Sequence, residues 1–204
     1  MMAENVKNIS GVILAGGENK RFGGINKSNI IIGGTSIISR IINTISDIFE
    51  EIIIVTNNPE QFPSFSHYKI VADQFTKVGP LGGLHSSIKA SSRESVFVFA
   101  GDMPFVDKTI IINQIEYFSL CTADAVIPRV NSYDEPLHAI YRNSIYGQLD
   151  NYLSSRKEYA IRDFLANVNV NYLQLSASEQ TGKAFANINT PSEADEAIRL
   201  SGIC

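Results

Sequence analysis

"GVILAGGENKRFGGINKS", residues 11–28, joins a short apolar run to a loop of glycines and cations. The run GVILA (11–15) is short, β-branched and closed by Gly16-Gly17, the pattern of a buried strand. Two common glycine-rich signatures fail on spacing. A P-loop needs Gly directly before its Lys, and here Asn26 precedes Lys27. A dinucleotide fingerprint needs G-x-G-x-x-G, and Gly16-Gly17 is followed by Glu18-Asn19-Lys20. A third kind of anion loop is expected instead. Gly16 and Gly17 lack a Cβ, so backbone N–H groups can approach an anion closely. Arg21 offers a planar fork to phosphate oxygens and Lys27 a compact point charge. A solvated, turn-rich loop with ordinary surface charges is the alternative.

Outward from this loop the chain alternates in period. "SNIIIGG" is a short extended piece ending in a turn, and Ile37, Ile38, Ile41, Ile42, Ile45 and Phe49 then recur at helical steps behind a Thr35/Ser36 cap. "EEIIIVTNN", "HYKIVAD" and "ESVFVFAGD" read as a second, third and fourth strand. "GPLGGLHSSIKASS" and "DKTIIINQIEYFSL" read as helices, the latter with Asp107 as its cap. Apolar runs alternating with amphipathic helices indicate βαβ units. The expected fold class is α/β: a Rossmann-like, open, mostly parallel sheet with helices on both faces and right-handed crossovers. After residue 120 the rhythm is less regular. "DAVIPRV", "EPLHAIYR" and "VNYLQL" look like strands, "SIYGQLDNYLSS" and "YAIRDFLANV" like helices, and Thr190 with Pro191 starts a last helix. No repeat or linker breaks the chain, so one domain over residues 1–204 is expected.

In an open parallel sheet, ligands bind beyond the carboxyl ends of the strands. The unusual polar residues all fall there. The glycine loop follows strand one, Asn57-Asn58 strand two, Asp73 strand three and Asp102 strand four. In "FAGDMPF", Asp102 leaves a fully apolar strand and can hold Mg²⁺, a hard cation that takes oxygen ligands and keeps waters. Capping a turn is the alternative for Asp102. Asp73 can accept from a ribose hydroxyl or a base, or cap a loop; Asn57 can read a base edge or ribose, or belong to an ordinary Asn-Pro turn. "GPLGG" (79–83) opens a helix where a flat ring can lie close, with Gly79 and Leu81 among the nucleotide-binding positions, unless it is a plain helix start. His67, His85 and His138 lack metal-ligand spacing and read as structural.

The 204 residues are 44% hydrophobic and 19% charged, enough for a real core. The net charge of −4 argues against a nucleic-acid polymer and suits a local basic cluster for a small anion. Cys121 and Cys204 lack metal spacing and read as reduced thiols in a cytoplasm. "MMAENVKNIS" has no apolar core and GVILA is too short to span a bilayer, so neither a signal peptide nor a membrane partner is expected.

These residues also carry a family likeness. "GVILAGGENKRFGGINK" resembles the nucleotidyltransferase signature L-A-G-G-x-x-x-R-x-G-x(2)-K. With R-F-G-G and Lys27 three residues beyond Gly24, it is similar to the molybdenum cofactor guanylyltransferases, the MobA family. "GPLGG" resembles that family's G-P-L-A-G with Gly82 for Ala, "GDMPF" its C-D-M-P-F with Gly101 for Cys, and "FANINTP" its F-x-N-x-N-T-P. The motifs keep the family order over nearly the whole chain. The resemblance implies a nucleotide-diphospho-sugar transferase-like fold. It implies transfer of GMP from GTP to molybdenum-molybdopterin, with release of pyrophosphate. It divides the chain into a nucleotide-binding half, about 1–120, and an acceptor-binding half, about 121–204, which includes "EPLHAIY". By matching position, Leu14, Ala15 and Gly16 contact the guanine nucleotide, largely through backbone. Arg21 and Lys27 hold the triphosphate, Asp73 serves the nucleoside, Asp102 binds Mg²⁺, and Asn187 and Asn189 lie on the pterin side. The substitutions at Gly82 and Gly101 are small for small. They leave open cytidylyl transfer to molybdopterin or nucleotidyl transfer to a sugar phosphate. A noncatalytic nucleotide-binding module is the reading from another class. A monomer or weak oligomer is expected.

Overall fold

The structure, a computed structural model, describes residues 6–16, 26–155 and 159–200. Gly17, Arg21 and Cys204 lie outside the described residues. The strand expected from GVILA is β1 (Ile9–Leu14), and it lies in the interior of the sheet. It pairs in parallel with β4 (Ile52–Val55) on one side and β6 (Ser95–Ala100) on the other. Beyond β4 lies β5 (Lys69–Val71), again parallel. With β7 (Ala125–Val130), β9 (His138–Arg142) and β10 (Val170–Leu175), the full order is β10-β7-β9-β6-β1-β4-β5 in an eight-stranded sheet, the short β8 (Tyr133–Asp134) pairing with β7. β2 (Ile31–Ile32) and β3 (Thr35–Ser36) form a separate hairpin.

The central strands read as unbroken apolar runs because both faces are covered. Along β6, Phe97 and Phe99 point to one core while Val96 and Val98 point to the other. The first core is roofed by α1 (Ile37–Ile45), α3 (Lys108–Ser119) and α7 (Pro191–Leu200). The second is roofed by α2 (Pro80–Ala90), α4 (Tyr146–Ser155) and α5 (Ile161–Leu165). Ile37, Ile38, Ile41 and Ile45 are fully buried. Each such side chain contributes roughly 1.5–3 kcal/mol of transfer free energy. The helix starts follow their caps: Ser36 accepts from Ser39 N, and Asp107 accepts from Thr109 N and Ile110 N.

The second half departs from the parallel rhythm for a reason of chain length. β9 (His138–Arg142) runs antiparallel to both β6 and β7. The connection over residues 131–137 is far shorter than the dozen or more residues a parallel crossover needs. β10 (Val170–Leu175) then returns parallel to β7 at the sheet edge. A helix that the periodicity does not reveal, α6 (Glu179–Ala184), starts at Ser178, whose capping box with Thr181 is the signal that marks it.

Two of the three histidines, His85 and His138, serve the fold. His138 is fully buried against Phe97, Phe99 and Phe185, and its Nδ1 hydrogen-bonds Gln114 Oε1 at 2.9 Å. Gln114 Nε2 in turn donates to the His138 carbonyl, which leaves its Oε1 as the acceptor for an Nδ1–H proton. Burial pushes the His138 imidazole down from 6.5 to about 4. His85 ties α2 to α4 through Asp150 Oδ1 at 2.9 Å and stacks on Tyr146.

Candidate active site

The carboxyl ends of β1, β4, β5 and β6 open onto one cleft of about 850 Å³. Leu14, Gly16, Lys27, Asn57, Asp73, Gly79 and Asp102 all line it. A hollow of about 480 Å³, lined by Arg40, Phe105 and Lys183 among others, takes in none of the predicted binding residues.

At one end of the cleft, Lys27 stands at the start of a one-turn 3₁₀ helix, Lys27–Asn29. Asn26, which no motif in the sequence singles out, holds that turn. Its Oδ1 accepts from Ser28 N at 3.0 Å and its Nδ2 donates to the Ala15 carbonyl at 2.6 Å. The loop is thereby tied back to the end of β1. The Lys27 ammonium donates to Asn189 Oδ1 at 2.8 Å and lies 3.4 Å from Asp102 Oδ2. Both ionic side chains keep about a quarter of their surface open to solvent, 26% for Lys27 and 23% for Asp102. The Asp102 carbonyl accepts from Ile188 N at 2.9 Å, so the C-terminal segment is laced to the loop after β6.

Asn189 is placed there by the start of α7. Glu193 Oε2 accepts from the backbone N–H of Asn189 and of Thr190, while Thr190 Oγ1 accepts from Glu193 N at 3.2 Å. Thr190 is thus the cap, and the Asn189 side chain serves Lys27 rather than the helix end. Asn187 is exposed and does not share this contact. The two asparagines that the resemblance assigns to the pterin side are set in different surroundings, with Ile188 N between them donating to the Asp102 carbonyl.

At the other end of the cleft, Asp73 is held by a neutral partner, Asn57. Asp73 N donates to Asn57 Oδ1 at 2.9 Å, and Asn57 Nδ2 approaches Asp73 Oδ2 at 3.5 Å. The second carboxylate oxygen, Oδ1, is buried and has no hydrogen-bond partner among the described residues. Desolvation by burial raises the Asp73 carboxyl above the ordinary range, against a smaller lowering by Asn57. Gly16 faces this group: a Cβ there would stand 3.9 Å from Asp73 Oδ2.

Two of the expected contact residues have buried side chains. Leu81 is fully buried in the core under α2, and its side chain does not line the cleft. Ala15 is likewise buried, with its carbonyl taken by Asn26. The glycines that differ from the family pattern are not interchangeable with other small residues either. A Cβ at Gly82 would come 2.7 Å from the Phe75 carbonyl oxygen. One at Gly101 would overlap the Ser28 hydroxyl and stand 2.6 Å from the Leu14 carbonyl oxygen. Both positions are close backbone contacts in this chain.

The donor set at the Lys27 end suits a hard cation. One carboxylate beside an amide oxygen is what Mg²⁺ uses when phosphates and waters complete its shell. Among the described residues no group of three His, Cys, Asp or Glu side chains forms an all-protein metal cage. None of the described helices is long and apolar enough to cross a membrane.

Comparison with known proteins gives the family. Residues 11–172 match the family described as "MobA-like NTP transferase domain". The chain is 34% identical to a probable molybdenum cofactor guanylyltransferase of Natranaerobius thermophilus, over 96% of this chain and 97% of that protein. It is 33% identical to a protein of the same description from Peptoclostridium acidaminophilum, over 90% and 86%. Among solved structures, molybdopterin-guanine dinucleotide biosynthesis protein A from Archaeoglobus fulgidus superposes with a TM-score of 0.81. It is 24% identical, and 96% of this chain and 100% of that one are covered. That likeness concerns the fold.

Proposed function

The chain belongs to the MobA-like NTP transferase family, and on that premise we propose that it transfers GMP from GTP to molybdenum-molybdopterin, releasing pyrophosphate. The observation that carries the reading is the junction of Lys27, Asp102 and Asn189. A cation, a carboxylate and an amide from three distant parts of the chain meet at one end of a nucleotide-sized cleft.

In the reaction the terminal phosphate of the acceptor attacks the α-phosphorus of GTP, and the bond to the pyrophosphate oxygen breaks. No protein nucleophile is required. The difficulty is to bring two anions together, and positioned cations lower that cost. Lys27 screens the phosphates, with Arg21 as a second contact. Asp102 would hold Mg²⁺, which when bound offsets the charge that gathers on the leaving pyrophosphate. Gly16 lets the nucleotide approach the backbone, and Asn57 orients Asp73 toward the nucleoside. Asn187 is assigned to the acceptor side. Asn189, held against Lys27, lies where acceptor and nucleotide phosphates must meet. The chain acts as one domain with a nucleotide half and an acceptor half, as a monomer or weak oligomer, in the cytoplasm, where the Cys121 thiol stays reduced.

Pyrophosphate release, measured over a panel of nucleoside triphosphates and acceptors with and without Mg²⁺, tests the reading. Turnover is expected with GTP and molybdopterin together. Turnover with CTP, or with a sugar phosphate as acceptor, assigns the cleft to a sister activity. Nucleotide binding without turnover assigns it to a noncatalytic module.

A further inference from the structure

The loop between β5 and α2 carries a cation that the reaction outlined above does not use. Lys77 adopts φ +66°, in the left-handed region that side-chain-bearing residues avoid, and Gly79 follows at φ +64°. Lys77 is exposed, lines the same cleft as Asp73 and Gly16, and has no hydrogen-bond or ion-pair partner among the described residues. A strained backbone that sets a solvated cation beside a ligand cleft calls for a reason beyond folding.

Position within the cleft narrows that reason. The sheet order runs β6-β1-β4-β5, so Asp102 and Asp73 follow strands three steps apart. At ~4.8 Å per step the two ends are separated by about 14 Å. With phosphates at Lys27 and Asp102, the base of a nucleotide falls toward Asp73 and Lys77. There the protein presents an acceptor beside a donor. The Asp73 carboxylate accepts, and its Oδ1 has no hydrogen-bond partner among the described residues; the Lys77 ammonium only donates. Guanine presents the complement: N–H donors at N1 and the 2-amino group, next to the 6-oxygen. Adenine would turn its amino group toward the ammonium, donor against donor.

We infer that Lys77 is a specificity-determining residue that reads the 6-oxygen of the guanine base, paired with Asp73 reading the neighbouring N–H groups. The inference rests on the GTP reading given above. It deepens that reading by placing base choice in a side chain of the β5–α2 loop.

The test compares GTP with 2-aminopurine riboside triphosphate, which keeps the 2-amino group and lacks the 6-oxygen. The kcat/KM for pyrophosphate release is measured for both in the wild type, Lys77→Ala and Lys77→Gly. The wild type is expected to favour GTP, and both variants to lower that ratio by roughly 5- to 100-fold, the scale of one lost base contact. Lys77→Gly should also melt at a higher temperature than Lys77→Ala, because glycine removes the strain at positive φ. That combination separates a reader of the base from a merely structural residue. An unchanged ratio in both variants overturns the inference while leaving guanylyl transfer standing. An equal loss on both nucleotides also overturns it, by assigning the cation to ribose or phosphate. A wild type that uses ATP, CTP and GTP alike overturns the guanylyl reading itself, and this inference with it.

Discussion

The two ends of the cleft each carry an aspartate at the end of a parallel strand, and the surroundings make them different groups. Asp102 faces an ammonium 3.4 Å away and keeps its carboxylate partly in water. Asp73 hydrogen-bonds an amide, has one oxygen buried without a hydrogen-bond partner among the described residues, and has its carboxyl raised by desolvation. The first sits in an ion pair; the second has an oxygen open to a donor. A residue type at a strand end therefore marks a site, while its neighbours decide what the site does.

The comparison breaks most sharply at Asp102. Asp102→Asn should lower Mg²⁺-dependent pyrophosphate release by about 100-fold or more, the scale of lost transition-state charge stabilisation. The melting temperature should hardly move, because the carboxylate is partly exposed and makes only a long ion pair. Turnover within a few fold of wild type would remove the metal role.

A second test defines the pH range in which the two ends can be compared at all. His138 is buried neutral, so the unfolded state takes up its proton first as pH falls. Its contribution is fully present above pH 6.5 and is lost as pH drops toward about 4. The accumulated loss is about 3 kcal/mol. Denaturant titrations at pH 7.5, 6, 5 and 4 measure it, and a flat profile would show that the core accommodates imidazolium. Cleft variants are best compared above pH 6.5, where this core effect is absent.

Lys27→Ala comes next. Loss of one charge-assisted contact should weaken GTP binding roughly 10- to 150-fold. Calorimetry is the measurement, and unchanged affinity would take Lys27 out of the phosphate cradle. The smallest effect is expected at the Asp73 end. Asp73→Asn should weaken GTP by about tenfold, the low end for a charge-assisted hydrogen bond, because the amide oxygen still accepts. It should slightly stabilise the free protein at pH 7. The sign follows from the raised carboxyl: folding disfavours the charged form, so the ionised group costs stability above its folded pKa, and that cost fades as pH falls through it. If Asp73→Asn destabilises the protein as well as weakening GTP, the two aspartates are less different than the geometry implies.

Much of the fold and of the rim is legible in the chain itself. The apolar runs 11–15, 52–55 and 95–100 declare buried parallel strands, and the polar residues that end them land on one rim. Asp107, Thr190 and Pro191 announce helix starts. These signals are local, because periodicity and capping act across a few residues. The burial of Leu81 is not legible for the complementary reason: a helix start shows which residues are helical, but the face that turns inward depends on what α2 packs against. The contact between Lys27 and Asn189 spans 162 positions. The Asn57–Asp73 pair joins two different loops, and the antiparallel β9 sits between strands from both halves. The required space at Gly82 and Gly101 comes from the Phe75 carbonyl and from Ser28, neither adjacent in the chain. Sequence by itself determined the elements and the rim. Only the tertiary structure decided which aspartate meets a cation and which waits for donors, because that depends on chain segments brought together by sheet order, over distances no local pattern encodes.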